Sequence, residues 1–128
     1  MMGTTFGSHS ISQGAGARST TLYRKEVSFY LTKQNRFGLP LDNRKDYTKL
    51  DWVVWTSTLA DTSKEFQAMV EPVLRFVNES PDRVPLTDWY DTVTAKQQGF
   101  QARSVVGGVY VKLLSSPAIW KKWRERAR

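Results

Sequence analysis

No cysteine occurs anywhere in this chain. That excludes disulfides, thiolate zinc sites and cysteine nucleophiles. There is one histidine, His9, and it lies in a Gly/Ser-rich stretch, so histidine acid–base or metal chemistry has no constellation to build on. No Ser-His-Asp arrangement, no metal-ligand spacing and no Gly-rich phosphate loop is present, and the expectation is no cofactor and no metal. Apolar runs are short: none approaches the roughly 20 residues that span a membrane. The first twenty residues, MMGTTFGSHSISQGAGARST, lack both the apolar stretch of a secretory signal and any helical or strand period. Their composition predicts a disordered leader over 1–20.

What is present is aromatic and basic. Aromatics make up 12% of 128 residues, with five Trp, so large rings carry much of the burial of one small core. The net charge of +7 is unevenly spread, because PAIWKKWRERAR at the C-terminus holds five basic side chains and one acid. Such a tail suits nucleic acid or a membrane surface in principle. It is read here as a terminal amphipathic helix with Trp120 and Trp123 on its apolar side, and no nucleic-acid partner is expected.

The pattern along the chain is helical. Leu22, Val27, Phe29, Tyr30 and Leu31 among charged residues predict a helix over about 21–35, stopped near Gly38 and Pro40. DWVVWTSTLA predicts a helix over about 48–60, apolar or small on nearly every side and therefore surrounded by protein, with Trp52 and Trp55 in the core. Thr62 or Ser63 is an N-cap for a one-faced helix over about 63–79, whose stripe is Phe66, Met69, Val70, Val73, Leu74 and Val77. Pro72 interrupts it and should kink it or be accommodated locally. A loop over 80–101 precedes ARSVVGGVYVKLL, read as a second buried helix over about 102–115, and a last helix starts near Pro117. The order outer helix, elaborate loop, buried helix occurs twice. The expected class is all-α, helical hairpins stacked side by side, with both elaborate loops at one end over the N-termini of the inner helices.

Those loops carry the candidate chemistry. The first offers Asp42, Arg44, Asp46 and Tyr47, followed by Asp51 and Trp52; the second offers Arg83, Asp88, Trp89, Tyr90 and Asp91, followed by Arg103. Asp, Trp, Tyr and Arg concentrated in one loop suggest a pocket wall. Paired carboxylates on facing loops suit a general acid and base, as in glycoside hydrolysis. Asp88, Asp42 and Asp51 are the catalytic candidates. Arg44, Trp89, Tyr90, Arg103 and Asp91 are the substrate-binding ones, with Arg suited to a bidentate grip on a carboxylate. Each has a plainer reading. Asp42 and Asp51 cap helices or pair with Arg44 and Lys49; Asp88 pairs with Arg83 or Arg103; Asp91 with Thr92 makes a turn. Gly107-Gly108 is read as permitting close helix packing.

The segments FGLPLDNRKDYTKLDWVVWTSTLA, RVPLTDWYDT and GFQARSVVGGVYVKLL, with the terminal WKKW, closely resemble the C-terminal part of the glutaminase A family of fungi and bacteria. The resemblance runs from about Thr21 to the C-terminus. It implies a six-hairpin (α/α)6 toroid of the glycosidase-like type, of which residues 21–128 would be a C-terminal segment, roughly the last third or more. It also implies hydrolysis of glutamine to glutamate and ammonia, in a family whose members are typically secreted or held in the cell envelope. Asp42, Asp51 and Asp88 match the family's motif positions. Without the earlier hairpins the chain is expected to be inactive alone and to expose inner-helix flanks that favour self-association. A carbohydrate-acting hydrolase with paired aspartates, and a noncatalytic module with a basic tail, are the alternatives; the substrate in either enzymatic reading is a small molecule, glutamine or a sugar.

Overall fold

The computed structural model describes the backbone of residues 12–127 and the side chains of 20–127. The reading of 1–20 as a leader falls, for residues 1–11 and for His9, outside the described residues. From Ser12 the chain is already helical: α1 spans Ser12–Lys33. It is followed by β1 (Tyr47–Lys49), α2 (Leu50–Ser57), α3 (Ser63–Glu79) and β2 (Trp89–Asp91). A 3-10 helix (Ser104–Tyr110), α4 (Val111–Leu114) and α5 (Pro117–Arg126) complete the order.

Local chemistry accounts for α3. Thr62 accepts from the Glu65 amide while the Glu65 carboxylate accepts from the Thr62 amide, a capping box that satisfies two N-terminal donors at once. Met69, Pro72, Val73 and Phe76 are its buried residues, whereas Leu74 and Val77 of the expected stripe face outward. Pro72 does not break the helix. A proline has no amide proton for the carbonyl four residues back; here that carbonyl, of Ala68, accepts instead from Gln34 Nε2 at 3.1 Å. The segment after α1 thus repairs the ladder of α3. Ser116 caps α5, with Pro117 at its first turn as expected.

The inner segments differ from expectation. The helix read as 48–60 is shorter, because residues 47–49 are extended and pair antiparallel with 89–91 in the register Tyr47↔Asp91, Thr48↔Tyr90, Lys49↔Trp89. The fold is therefore helix-rich with a two-stranded ribbon. That ribbon joins the two elaborate loops directly, at the N-terminal end of α2. Residues 104–114 form a 3-10 turn and a short α-helix without a fully buried residue, not one buried helix. Val106 and Val109 reach the core only in part. Trp52 (54% exposed) and Trp55 (44%) lie on an open face of α2, correcting their assignment to the core. The face of α2 that is covered carries Leu50, Val53 and Val54.

The core gathers Phe37, Leu50, Val53, Val73, Phe76, Tyr90 and Ala95. Tyr90 is its centre, stacked on Phe76 with ring centroids 3.5 Å apart and donating its hydroxyl to the Phe37 carbonyl at 2.8 Å. A flank formed by α2, the 3-10 helix, α4 and α5 stays apolar and open, with a groove of about 320 Å³ walled by Trp55, Leu113, Trp120 and Trp123. Trp120 and Trp123 thus face a groove within the fold, in keeping with the amphipathic reading of the tail. No helix among the described residues is long and apolar enough to cross a membrane.

Candidate functional site

The ribbon sorts the motif residues by the two-residue period of a strand. Tyr90 points inward and Trp89 and Asp91 point the other way, half-buried. Tyr90 therefore belongs to the core and not to a pocket wall, and burial pushes its hydroxyl pKa well above the usual tyrosine value. Asp91 forms the turn: its Oδ1 accepts from the amides of Val93 (2.9 Å) and Thr94 (2.8 Å) and from the Thr94 hydroxyl (3.0 Å).

Partial burial raises the Asp91 pKa, but the hydrogen bonds from Thr94 and Val93 outweigh it and leave the carboxyl below the usual carboxylate range. A depressed folded-state pKa contributes stability above the unfolded value and loses it as pH falls through the folded one. Asp91→Asn is accordingly expected to cost stability at neutral pH. The gap in melting temperature between it and the parent chain should shrink as pH drops below about 4. Melts across a pH series check this; a gap that widens in acid contradicts it.

Asp42 lies apart, with Arg44 beside it. The Arg44 side chain reaches Asp42 at 2.6 and 3.0 Å and its backbone amide at 2.8 Å, and these contacts hold the Asp42 carboxyl below its ordinary pKa. Both residues line a cleft of about 730 Å³ between α1, the 34–46 segment and α2, whose walls include Tyr30, Asp46 and Trp52. Neither Asp51 nor Asp88 lines this cleft. The carboxylates of the two facing loops therefore do not both line this cleft. Asp51 sits in the first turn of α2, buried, where a negative charge suits the helix dipole. It does not pair with Lys49, and Gly108 lies against its Cβ. Gly108 is the close-packing glycine of the pair; Gly107 faces open space.

Asp88 is the residue around which charge collects. Its side chain is sealed, 1% exposed, and its backbone carbonyl accepts from the Leu50 amide at 2.7 Å, fixing it against the start of α2. Lys49 Nζ lies 3.4 Å from Oδ2 and Arg103 Nε 3.4 Å from Oδ1. Oδ1 nevertheless has no hydrogen-bond donor among the described residues. Lys49 also lies over the Trp89 ring at 4.2 Å, and the Arg103 guanidinium over Phe100 at 5.5 Å. Tyr47 packs edge-on against Trp89. Of the two expected partners of Asp88, Arg103 is the one found, while Arg83 donates to the Asn78 carbonyl. Lys49 was not singled out for this site; its signal is the strand register, which sets it opposite Trp89. Among the described residues no group of three or more His, Cys, Asp or Glu side chains is arranged to hold a metal ion.

A profile of the family described as the glutaminase A six helical-hairpin domain matches residues 15–113. A glutaminase A of Aspergillus oryzae (strain ATCC 42149 / RIB 40) is 34% identical over 97 residues, covering 73% of this chain and 14% of that protein. A probable glutaminase of Arthroderma benhamiae (strain ATCC MYA-4681 / CBS 112371) is 34% identical over 98 residues, covering 72% of this chain and 11% of that protein. The chain thus spans a small part of the length of the curated relatives it matches. No solved structure matches it.

Proposed function

This chain belongs to the glutaminase A family through its six-helical-hairpin domain, and from that premise we propose that it supplies one electropositive corner of a glutaminase-type amide hydrolase. The reaction is glutamine plus water to glutamate and ammonia. Water oxygen bonds to the side-chain carbonyl carbon, the C–N bond breaks, and the departing nitrogen takes up a proton. Such a site needs fixed positive charge where substrate anions and developing negative charge lie. The observation that carries the reading is the Lys49–Asp88–Arg103 cluster, which lies inside the matched region and at the end where the two motif loops meet.

The same geometry supports inactivity of the chain by itself. Asp88 is sealed between two cations, Asp42 is bound by Arg44 on another cleft, and Asp51 is covered by Gly108. No ammonia release from L-glutamine above the buffer rate is therefore expected from the purified chain; clear turnover would overturn the inactivity claim. In a full-length relative, changing the aspartate aligned with Asp88 to Asn should lower glutamine hydrolysis roughly 100-fold with the fold retained. An unchanged rate would sink the assignment of this corner to the reaction. The sugar-hydrolase reading has less support, because Asp42 lines the large cleft while Asp88 lies outside it, sealed against two cations. Glycan cleavage by that relative, lost in the same variant while glutamine is untouched, would reverse the preference.

A further inference from the structure

We propose that Lys49, Asp88 and Arg103 form a binding site for a small organic carboxylate, with Arg103 as the gripping group and Asp88 as the positioning residue that aims it. The proposal rests on the amide-hydrolase reading only for the ligand's identity, the carboxylate end of an amino-acid amide.

Charge is the first argument. One carboxylate faces two cations, so the cluster carries a net +1. Both contacts are 3.4 Å, longer than the 2.7–2.9 Å of a well-formed charge-assisted bond. Arginine pairs elsewhere in the fold are shorter, 2.8 Å for Arg36 with Glu79 and 2.6 Å for Arg44 with Asp42. Asp88 instead touches Arg103 at Nε, and Oδ1 receives no hydrogen bond. Such an acceptor calls for a donor, which the carboxylate of an amino-acid amide does not supply and its ammonium group does.

Four other arginines make the contrast; Arg124 and Arg126 of α5 are exposed and, like Arg103, donate to no acceptor among the described residues. Arg44 donates twice to Asp42, Arg36 to Glu79, Arg75 to Glu71 and to the Arg36 carbonyl, and Arg83 to the Asn78 carbonyl. Their guanidinium groups are occupied. No acceptor among the described residues takes a hydrogen bond from the Arg103 guanidinium, although Asp88 and the Phe100 ring fix its position. A guanidinium held at Nε presents its two terminal nitrogens as a planar fork, the geometry that matches a carboxylate.

Access runs in the right direction. Exposure of the side chains rises from 1% at Asp88 through 21% at Lys49 to 39% at Arg103, so the cluster opens outward from a sealed base. Phe100, exposed beside Arg103, offers apolar surface for the short carbon chain of such a ligand.

The test uses the full chain at low salt, with glutarate as the charged probe and glutaramide as its neutral counterpart. Glutarate should shift the Trp89 indole N–H and the Arg103 amide resonances saturably, and glutaramide should not. Arg103→Met is expected to weaken binding at least tenfold, Arg103→Lys several-fold, and Arg83→Met not at all, with dispersed spectra showing that each variant folds. Asp88→Asn separates aiming from mere charge. It raises the cluster from +1 to +2, so a site that only attracts anions would bind glutarate more tightly. A site in which Asp88 aims Arg103 would bind it less tightly and lose its preference for glutarate over sulfate. No saturable shift, equal binding of glutaramide, unchanged affinity in Arg103→Met, or tighter binding in Asp88→Asn would each overturn the proposal. None of these results bears on ammonia release by a full-length relative, so the two readings fail separately.

Discussion

Tyr90→Ala is expected to remove a large share of the chain's stability. The side chain is fully buried, its ring lies flat on Phe76 at 3.5 Å, and its hydroxyl satisfies the Phe37 carbonyl. Truncating a buried aromatic to alanine costs about 3–5 kcal/mol. The orphaned Phe37 carbonyl adds to that. A domain of this size has only about 5–15 kcal/mol to lose. The neighbourhood offers little room to collapse inward, since even the space beside Gly38 is set by the Tyr90 hydroxyl, 3.0 Å from where a Cβ would stand. Tyr90→Phe keeps the stack and removes only the hydroxyl, so its cost should be about 1–3 kcal/mol. Urea unfolding of both variants measures the difference. A loss below about 2 kcal/mol for Tyr90→Ala would contradict a central role for this ring.

Gly108→Val against Gly107→Ala is the second large contrast, two adjacent glycines with opposite outcomes. A Cβ on Gly108 would stand 2.7 Å from the Asp51 Cβ and 3.2 Å from Trp55 Nε1. The first of these neighbours is anchored one bond from the α2 backbone and cannot swing aside. The 3-10 helix must then move off α2, and the bond from Trp55 Nε1 to the Gly108 carbonyl, 3.2 Å, goes with it. Overpacking of this kind costs about 1–3 kcal/mol, and the second methyl-bearing branch of valine puts it at the upper end. At Gly107 nothing lies within 4 Å of the added carbon. There alanine reduces the freedom of the unfolded chain and is expected to be neutral or stabilising by about 0.4–1 kcal/mol. Thermal melts followed by tryptophan fluorescence check both, and equal effects at the two positions would refute the packing argument.

The parts of the fold that the sequence made legible are those decided locally. The cap at Thr62, one of the two residues the pattern allowed, and the Pro117 start depend on residues three or four apart, and both are found. The apolar face of α3 was legible as a face, though its edge residues Leu74 and Val77 could not be assigned to the covered side by period alone. What eluded the sequence depends on neighbours far along the chain. Strands of three residues are too short to show alternation, so Thr48 and Lys49 read as the start of a helix, and Tyr47 and Trp89–Asp91 as loop. Missing the ribbon meant missing the parity that turns Tyr90 inward and Trp89 away. The run around Val105 and Val106, and Trp52 and Trp55, are apolar whether or not anything covers them; burial is a property of the partner, not of the segment. For the candidate site, a pairing of Asp88 with Arg83 or Arg103 was legible from the charges nearby in sequence, while the choice of Arg103 was settled only by the fold. Lys49 was hidden because its relation to Asp88 exists only through the cross-strand register.

The ribbon also carries a kinetic consequence. Pairing Tyr47 with Asp91 closes a loop that contains all of α2 and α3, and the amide and hydroxyl of Thr92 fasten the same closure to the Asp46 carbonyl. Loop closure over such a separation is an entropic cost met before any of its contacts help, whereas the capped turns of α3 form from adjacent residues. Folding is therefore expected to be ordered in time, with α3 helical early and the ribbon late. The amide of Leu50, which donates to the Asp88 carbonyl across that closure, becomes protected from exchange only when the two motif loops meet. On that order the charged cluster around Asp88 is expected to assemble only with the closure of the ribbon, and to come apart when the ribbon opens.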